Sequence, residues 1–116
     1  MPSMRHQRVR ELLKRTLAEI LQREIDTNEY GLVNINEVGV ANDLKSAMVF
    51  VGIVGNPSQR KKAKAKLKKE RTYFQQLMAR EVVLRYTPKI KFRVDDSIEA
   101  GNRVLEIIEE LESDLE

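Results

Sequence analysis

The chain has 116 residues, enough for one domain with a core of its own, and 34% of them are charged. It has no cysteine and a single histidine, His6. That excludes disulfides and cysteine-based metal centres, and argues against a zinc site or a Ser-His or Cys-His catalytic pair. The net charge of +3 averages over opposed poles: +1 for residues 1–30, −1 for 31–58, +11 for 59–93 and −8 for 94–116. No apolar run approaches the roughly 20 residues of a membrane span. Residues 1–10 lack the apolar centre of a signal peptide, so a cytoplasmic protein without membrane contact is expected.

A helix is predicted from about Arg5 to Asp26, because Val9, Leu12, Leu13, Leu17, Ile20, Leu21 and Ile25 recur at spacings of three and four. Glu11 with Arg15 and Glu19 with Arg23 form i, i+4 pairs on its outer side. The stretch Thr27-Asn28-Glu29-Tyr30-Gly31 ends it. Two strands follow. In Leu32–Val40 the apolar parity switches near Glu37, the mark of a β-bulge or bend. Ala41-Asn42-Asp43-Leu44 carries turn chemistry, and Ser46–Val54 is apolar almost throughout, as in a strand covered on both faces. So short a connection implies an antiparallel hairpin.

Asn56 as N-cap and Pro57 at the first helical position open the lysine-dense helix. Its inward stripe reads Ala63, Leu67, Phe74, Leu77, Met78 and Val82. An apolar residue is missing at Glu70-Arg71-Thr72, which implies two helices meeting at a kink near Thr72. Thr87-Pro88 is expected to break the helix before a third strand. There Ile90, Phe92 and Val94 alternate with Lys89, Lys91 and Arg93, so the apolar set turns inward and the cationic set to the opposite face. Asp96-Ser97-Ile98-Glu99 reads as a capping box opening an acidic C-terminal helix over about residues 97–114. The order is α-β-β-α-α-β-α in a single domain over residues 1–116, an α+β chain.

The basic segment holds 13 of the 21 Lys and Arg residues against Glu70 and Glu81 alone, an electrostatic footprint for a polyanion. Candidate phosphate contacts are Lys62, Lys66, Lys69, Arg71, Arg80 and Arg85, then Lys89, Lys91 and Arg93 from the strand, with Arg5, Arg8 and Arg10 as an additional arm. A lysine run alone would pass for a solvated face; its continuation into the strand argues otherwise. A membrane-surface helix is disfavoured by the few large apolar residues between 59 and 72. Tyr73 and Tyr86 are candidates for stacking on RNA bases. Asp95, Asp96 and Glu99 read as a helix cap rather than a Mg²⁺ site, and no cofactor is expected. The acidic C-terminal helix is either a solvated face or a segment that folds back on the basic surface.

An ordered series of short matches now becomes recognisable. It begins with Gln7-Arg8-Val9 and Ile20-Leu21-Gln22-Arg23-Glu24-Ile25, and continues through Gly31-Leu32-Val33 and Val38-Gly39-Val40 with Asp43-Leu44. Ala47-Met48-Val49-Phe50-Val51 follows, then Leu84-Arg85-Tyr86-Thr87-Pro88, Phe92, Asp95-Asp96-Ser97-Ile98-Glu99 and Gly101-Asn102-Arg103. The chain resembles ribosome-binding factor A, the bacterial small-subunit assembly factor, over nearly its whole length. The resemblance implies a type II KH-like fold, a three-stranded mixed sheet with helices packed on one face. It also implies a non-catalytic, monomeric factor that binds 16S rRNA in free, immature 30S subunits. Such a factor assists maturation near the RNA 5′ end, above all in the cold. The alternative is a KH-like RNA- or DNA-binding protein without a ribosomal role. Where the family carries an Ala-x-Gly kink this chain has Glu70, Arg71 and Thr72. Where the family has Asp-Pro-Arg it has Thr27, Asn28 and Glu29.

Overall fold

A computed structural model describes residues 4–95, so the acidic segment expected to form the last helix lies outside the described residues. Helix α1 spans Met4–Glu24 and buries Val9, Leu13, Leu17, Ile20 and Leu21, the stripe that its three-and-four spacing dictates. It ends two residues before Asp26, which instead caps a one-turn helix α2, Thr27–Tyr30, by accepting the Asn28 N–H. Gly31 closes that turn with φ of 75°. A side chain there would set its Cβ 2.7 Å from the Val54 carbonyl oxygen, so backbone approach and dihedral both require glycine.

Strand β1 (Leu32–Val40) pairs antiparallel with β2 (Ser46–Val54), and the register slips between Ile35 and Glu37. The slip is the bulge that the parity switch foretold. It lets Val33, Val38 and Val40 all turn into the core. Strand β3 (Lys89–Val94) adds parallel to β2, giving a mixed sheet in the order β1-β2-β3. In the central strand Ala47, Val49, Val51 and Ile53 belong to the helix-covered core. On the other face only Phe50 is fully buried, at 1% exposure, while Met48 and Gly52 are half-buried. The near-continuous apolar run therefore reflects a central position more than equal cover on both faces.

Helix α3 (Pro57–Lys69) starts on a capping box in which Asn56 and Gln59 each accept the other's backbone N–H, at 2.8 and 2.9 Å. Helix α4 (Arg71–Glu81) follows after a single residue, Glu70, at φ −104° and ψ 20°. The break thus lies two residues ahead of Thr72, which is in the first turn of α4. Thr87-Pro88 does not end α4, contrary to the expectation from sequence. The helix stops at Glu81, and Val82 turns extended at φ −118° to bury its own side chain in the core. Two adjacent β-branched residues disfavour a further turn, and Val83 is left 97% exposed. Phe92, expected in the core, is half-buried and meets Phe74 edge to face at 5.8 Å. Nor does Arg23 pair along its own helix: both terminal nitrogens reach Glu81, the nearer at 2.8 Å, tying α1 to α4.

Candidate nucleic-acid interface

A helix turns 100° per residue, so the Ala63–Leu67 stripe that anchors α3 leaves cations on two flanks. Lys62, Lys66 and Lys69 share one of them. There the Lys66 ammonium bonds Glu70 at 2.7 Å and lies 5.2 Å from the centre of the Tyr30 ring. The hydrogen bond to Glu70 holds that ammonium above its ordinary pKa. Lys64 and Lys68 take the other flank, which faces β3. With Leu67, Arg71, Lys91, Phe92 and Val94 they line a groove of about 500 Å³ between the helix pair and the edge strand. Sequence reasoning picked Arg71 and Lys91 but missed Lys64 and Lys68. Periodicity separates the two flanks of a helix; it does not say which flank a later strand will join.

The groove is held open by bonds from α4 to the outer edge of β3. Gln75 accepts the Ile90 N–H at 2.7 Å and donates to the Pro88 carbonyl at 2.8 Å. Arg71 donates to the Ile90 carbonyl at 3.2 Å. On the inner edge, the Lys89 and Asp95 N–H groups bond Lys45 and Val51. Alternation along a strand then turns the Phe92 N–H and C=O toward the groove, two residues beyond the pair that Gln75 and Arg71 occupy. The apolar part of the lining is Leu67, Phe92 and Val94, with ammonium and guanidinium groups around it.

Lys89, Lys91 and Arg93 are all exposed and register with Ser46, Met48 and Phe50 on the sheet face away from the core. Arg5 and Arg85 come together at a different pocket, beside Tyr86. Arg8 and Arg80 are exposed and Arg10 half-buried, and none of the three lines the groove. His6 donates from Nε2 to the Val40 carbonyl at 2.6 Å, fastening the first turn of α1 to the end of β1. Of the two candidate stacking rings, Tyr73 is tied down: its hydroxyl donates to Glu24, and that bond raises the phenol pKa. Tyr86 stands 61% exposed.

A mixed three-stranded sheet with its helices on one face, and a cation-lined groove between a broken helix pair and an edge strand, define a type II KH-like α+β domain. The comparisons with known proteins are narrower. Residues 5–108 match the family model described as ribosome-binding factor A. Ribosome-binding factor A of Halothermothrix orenii is 39% identical over 120 residues, covering 100% of this chain and 98% of that protein. The chain belongs to the ribosome-binding factor A family. Among solved structures, the crystal structure of ribosome-binding factor A from Thermus thermophilus superposes with a TM-score of 0.64 at 24% identity, over 76% of this chain and 93% of that one. A Thermus thermophilus ribosome-binding factor A model fitted into the cryo-EM map of a 30S complex gives 0.63 at 25% identity, over 72% and 88%.

Proposed function

We propose that this chain is a single-domain, monomeric, non-catalytic cytoplasmic factor that binds 16S rRNA on the free, immature 30S subunit. There it assists late maturation near the RNA 5′ end, most of all in the cold. The observation that carries the reading is the groove beside β3. Four cations (Lys64, Lys68, Arg71 and Lys91) border an apolar floor along an edge strand, a surface that suits an RNA backbone and has no nucleophile-base pair in it. The relative seen in a 30S complex supports the choice of particle. Exposed Lys89 and Arg93 extend the positive field along β3, while Arg5, Arg8, Arg10 and Arg80 add to the positive charge of the molecule away from the groove lining. Lys62, Lys66 and Lys69 act from the far flank of α3. Phosphate contacts fix position, and the shape of the subunit supplies selectivity, because dispersed cations cannot read a sequence.

Sedimentation of cell extracts at near-physiological salt tests this. Wild type should travel with free small subunits and be nearly absent from translating ribosomes. A Lys68→Glu, Lys91→Glu double variant should leave the particle, whereas Lys62→Glu, Lys69→Glu should remain largely bound. In a strain lacking the protein, precursor 16S rRNA should accumulate in the cold. Equal partition of the wild type over all RNA species would reduce the function to that of a KH-like RNA binder with no ribosomal address.

A further inference from the structure

A second pocket, of about 310 Å³, opens where the first turns of α1, the β1–β2 turn and the loop from α4 to β3 meet. Its floor is apolar, made by Val9, Leu44 and Leu84, and its rim carries Arg5, Asn42, Asp43, Arg85 and Tyr86. The Lys89 N–H, at the end of the loop, bonds the Lys45 carbonyl at 2.9 Å, and further bonds tie the other two segments together. His6 Nε2 bonds the Val40 carbonyl, the Ala41 N–H bonds the Ser46 carbonyl, and the Leu44 N–H bonds the Ala41 carbonyl with Leu44 held at φ 62°. The Lys45 N–H, donating to Asp43 Oδ1 at 2.9 Å, orients that carboxylate. The Arg85 guanidinium lies 5.5 Å from the centre of the Tyr86 ring, so the ring's large exposure belongs to its other face and edge. Neither the groove nor the strand face uses any of these groups.

We propose that this pocket takes one unpaired nucleotide of a bound RNA, its base stacked on the open face of Tyr86 and its phosphate beside Arg5. The inference rests on the RNA-binding reading above and adds a second, single-strand-specific contact to it. Every base offers a π-face, so stacking is sequence-tolerant, and a guanidinium on the opposite side of the ring reinforces it. Asn42 and Asp43 sit where the N–H groups of a base edge need acceptors, and the apolar floor dries the stack. A base within a duplex is already stacked and cannot enter. The pocket therefore selects single strands, while the groove cations attract either form.

The full chain, titrated with a single-stranded hexaadenylate and with a blunt RNA duplex, separates the two contacts. Tyr86→Ala should weaken hexaadenylate binding roughly tenfold, the scale of one base–aromatic stack, and leave the duplex unchanged. Tyr86→Phe keeps the ring and should bind like wild type. Lys68→Glu, in the groove, should weaken both ligands. Since Tyr86 is exposed, the thermal melt of Tyr86→Ala should match wild type. If Tyr86→Ala binds hexaadenylate as wild type does while Lys68→Glu loses both ligands, the nucleotide pocket is overturned and the RNA-binding reading stands. If wild type binds neither ligand at low salt, both fall together.

Discussion

Arg23 and Glu81 connect the C-terminal turn of α1 to that of α4, 58 residues apart in sequence, through two hydrogen bonds. The Arg23 hydrogen bond, then its charge, depresses the Glu81 carboxyl below its ordinary value of 4.5, and Glu81 in turn raises the guanidinium. A carboxyl whose folded pKa is depressed adds stability that is present above its unfolded pKa and lost as pH falls through the folded one. Both side chains face solvent, so the contribution is small and screened by salt. Wild type should therefore resist denaturant slightly better than Glu81→Gln at pH 7 and low salt, and the difference should vanish as pH falls below about 4.5. Urea midpoints of the two proteins across that range check it. A difference that persisted at pH 3 would mean Glu81 acts by packing instead. At this scale the sequence was a partial guide. Glu19 lies four residues before Arg23, yet α4 brings a better-placed carboxylate, and only tertiary structure can supply that partner.

Helix α3 begins on stronger local chemistry than any other described element. The Asn56–Gln59 box satisfies two otherwise orphaned N–H groups, and Pro57 is preset for the first turn. Apart from Leu67, its interior offers only alanine to the core, so packing contributes less here than along α1. Asn56→Ala should cost about 1 kcal/mol of stability, and Asn56→Asp much less, since aspartate caps equally well. Chemical denaturation of both variants decides it, and equal losses would assign the effect to something other than the cap. Caps, the hairpin and the Glu37 bulge were legible because each is written in a few adjacent residues. The end of α4 was misread for the opposite reason. Pro88 is the louder signal, but Val82 gains more by burying its side chain from an extended backbone than by adding a helical turn. Likewise Asp26 and Glu29, three apart, carry the acidic signature of a helix start, and α2 forms there.

Across the whole molecule, charge and shape coincide at β3. Its inner residues complete the core, its edge is bonded to α4, and Lys89, Lys91 and Arg93 stand on the solvent side of the sheet. Lys64, Lys68 and Arg71 approach the same edge from the helices. The concentration of cations was plain in the sequence, whereas the groove was not, because it depends on how α3 is rolled against the sheet. A surface of this kind binds RNA chiefly by displacing condensed counterions, a term that falls linearly in log affinity against log salt. If about five phosphates are neutralised, the slope against small-subunit RNA should be roughly −3 to −5. Lys91→Glu, which removes one cation and adds one anion at the mouth of the groove, should make that slope shallower by roughly 1 to 2. Lys62→Glu, on the far flank, should change it less, although the two variants have the same net charge. Filter-binding titrations between about 50 and 200 mM salt make the comparison. Equal slopes for Lys91→Glu and Lys62→Glu would show that total charge governs binding and that the groove has no special part in it. A steeper slope for Lys62→Glu than for Lys91→Glu is what the placement of the cations requires.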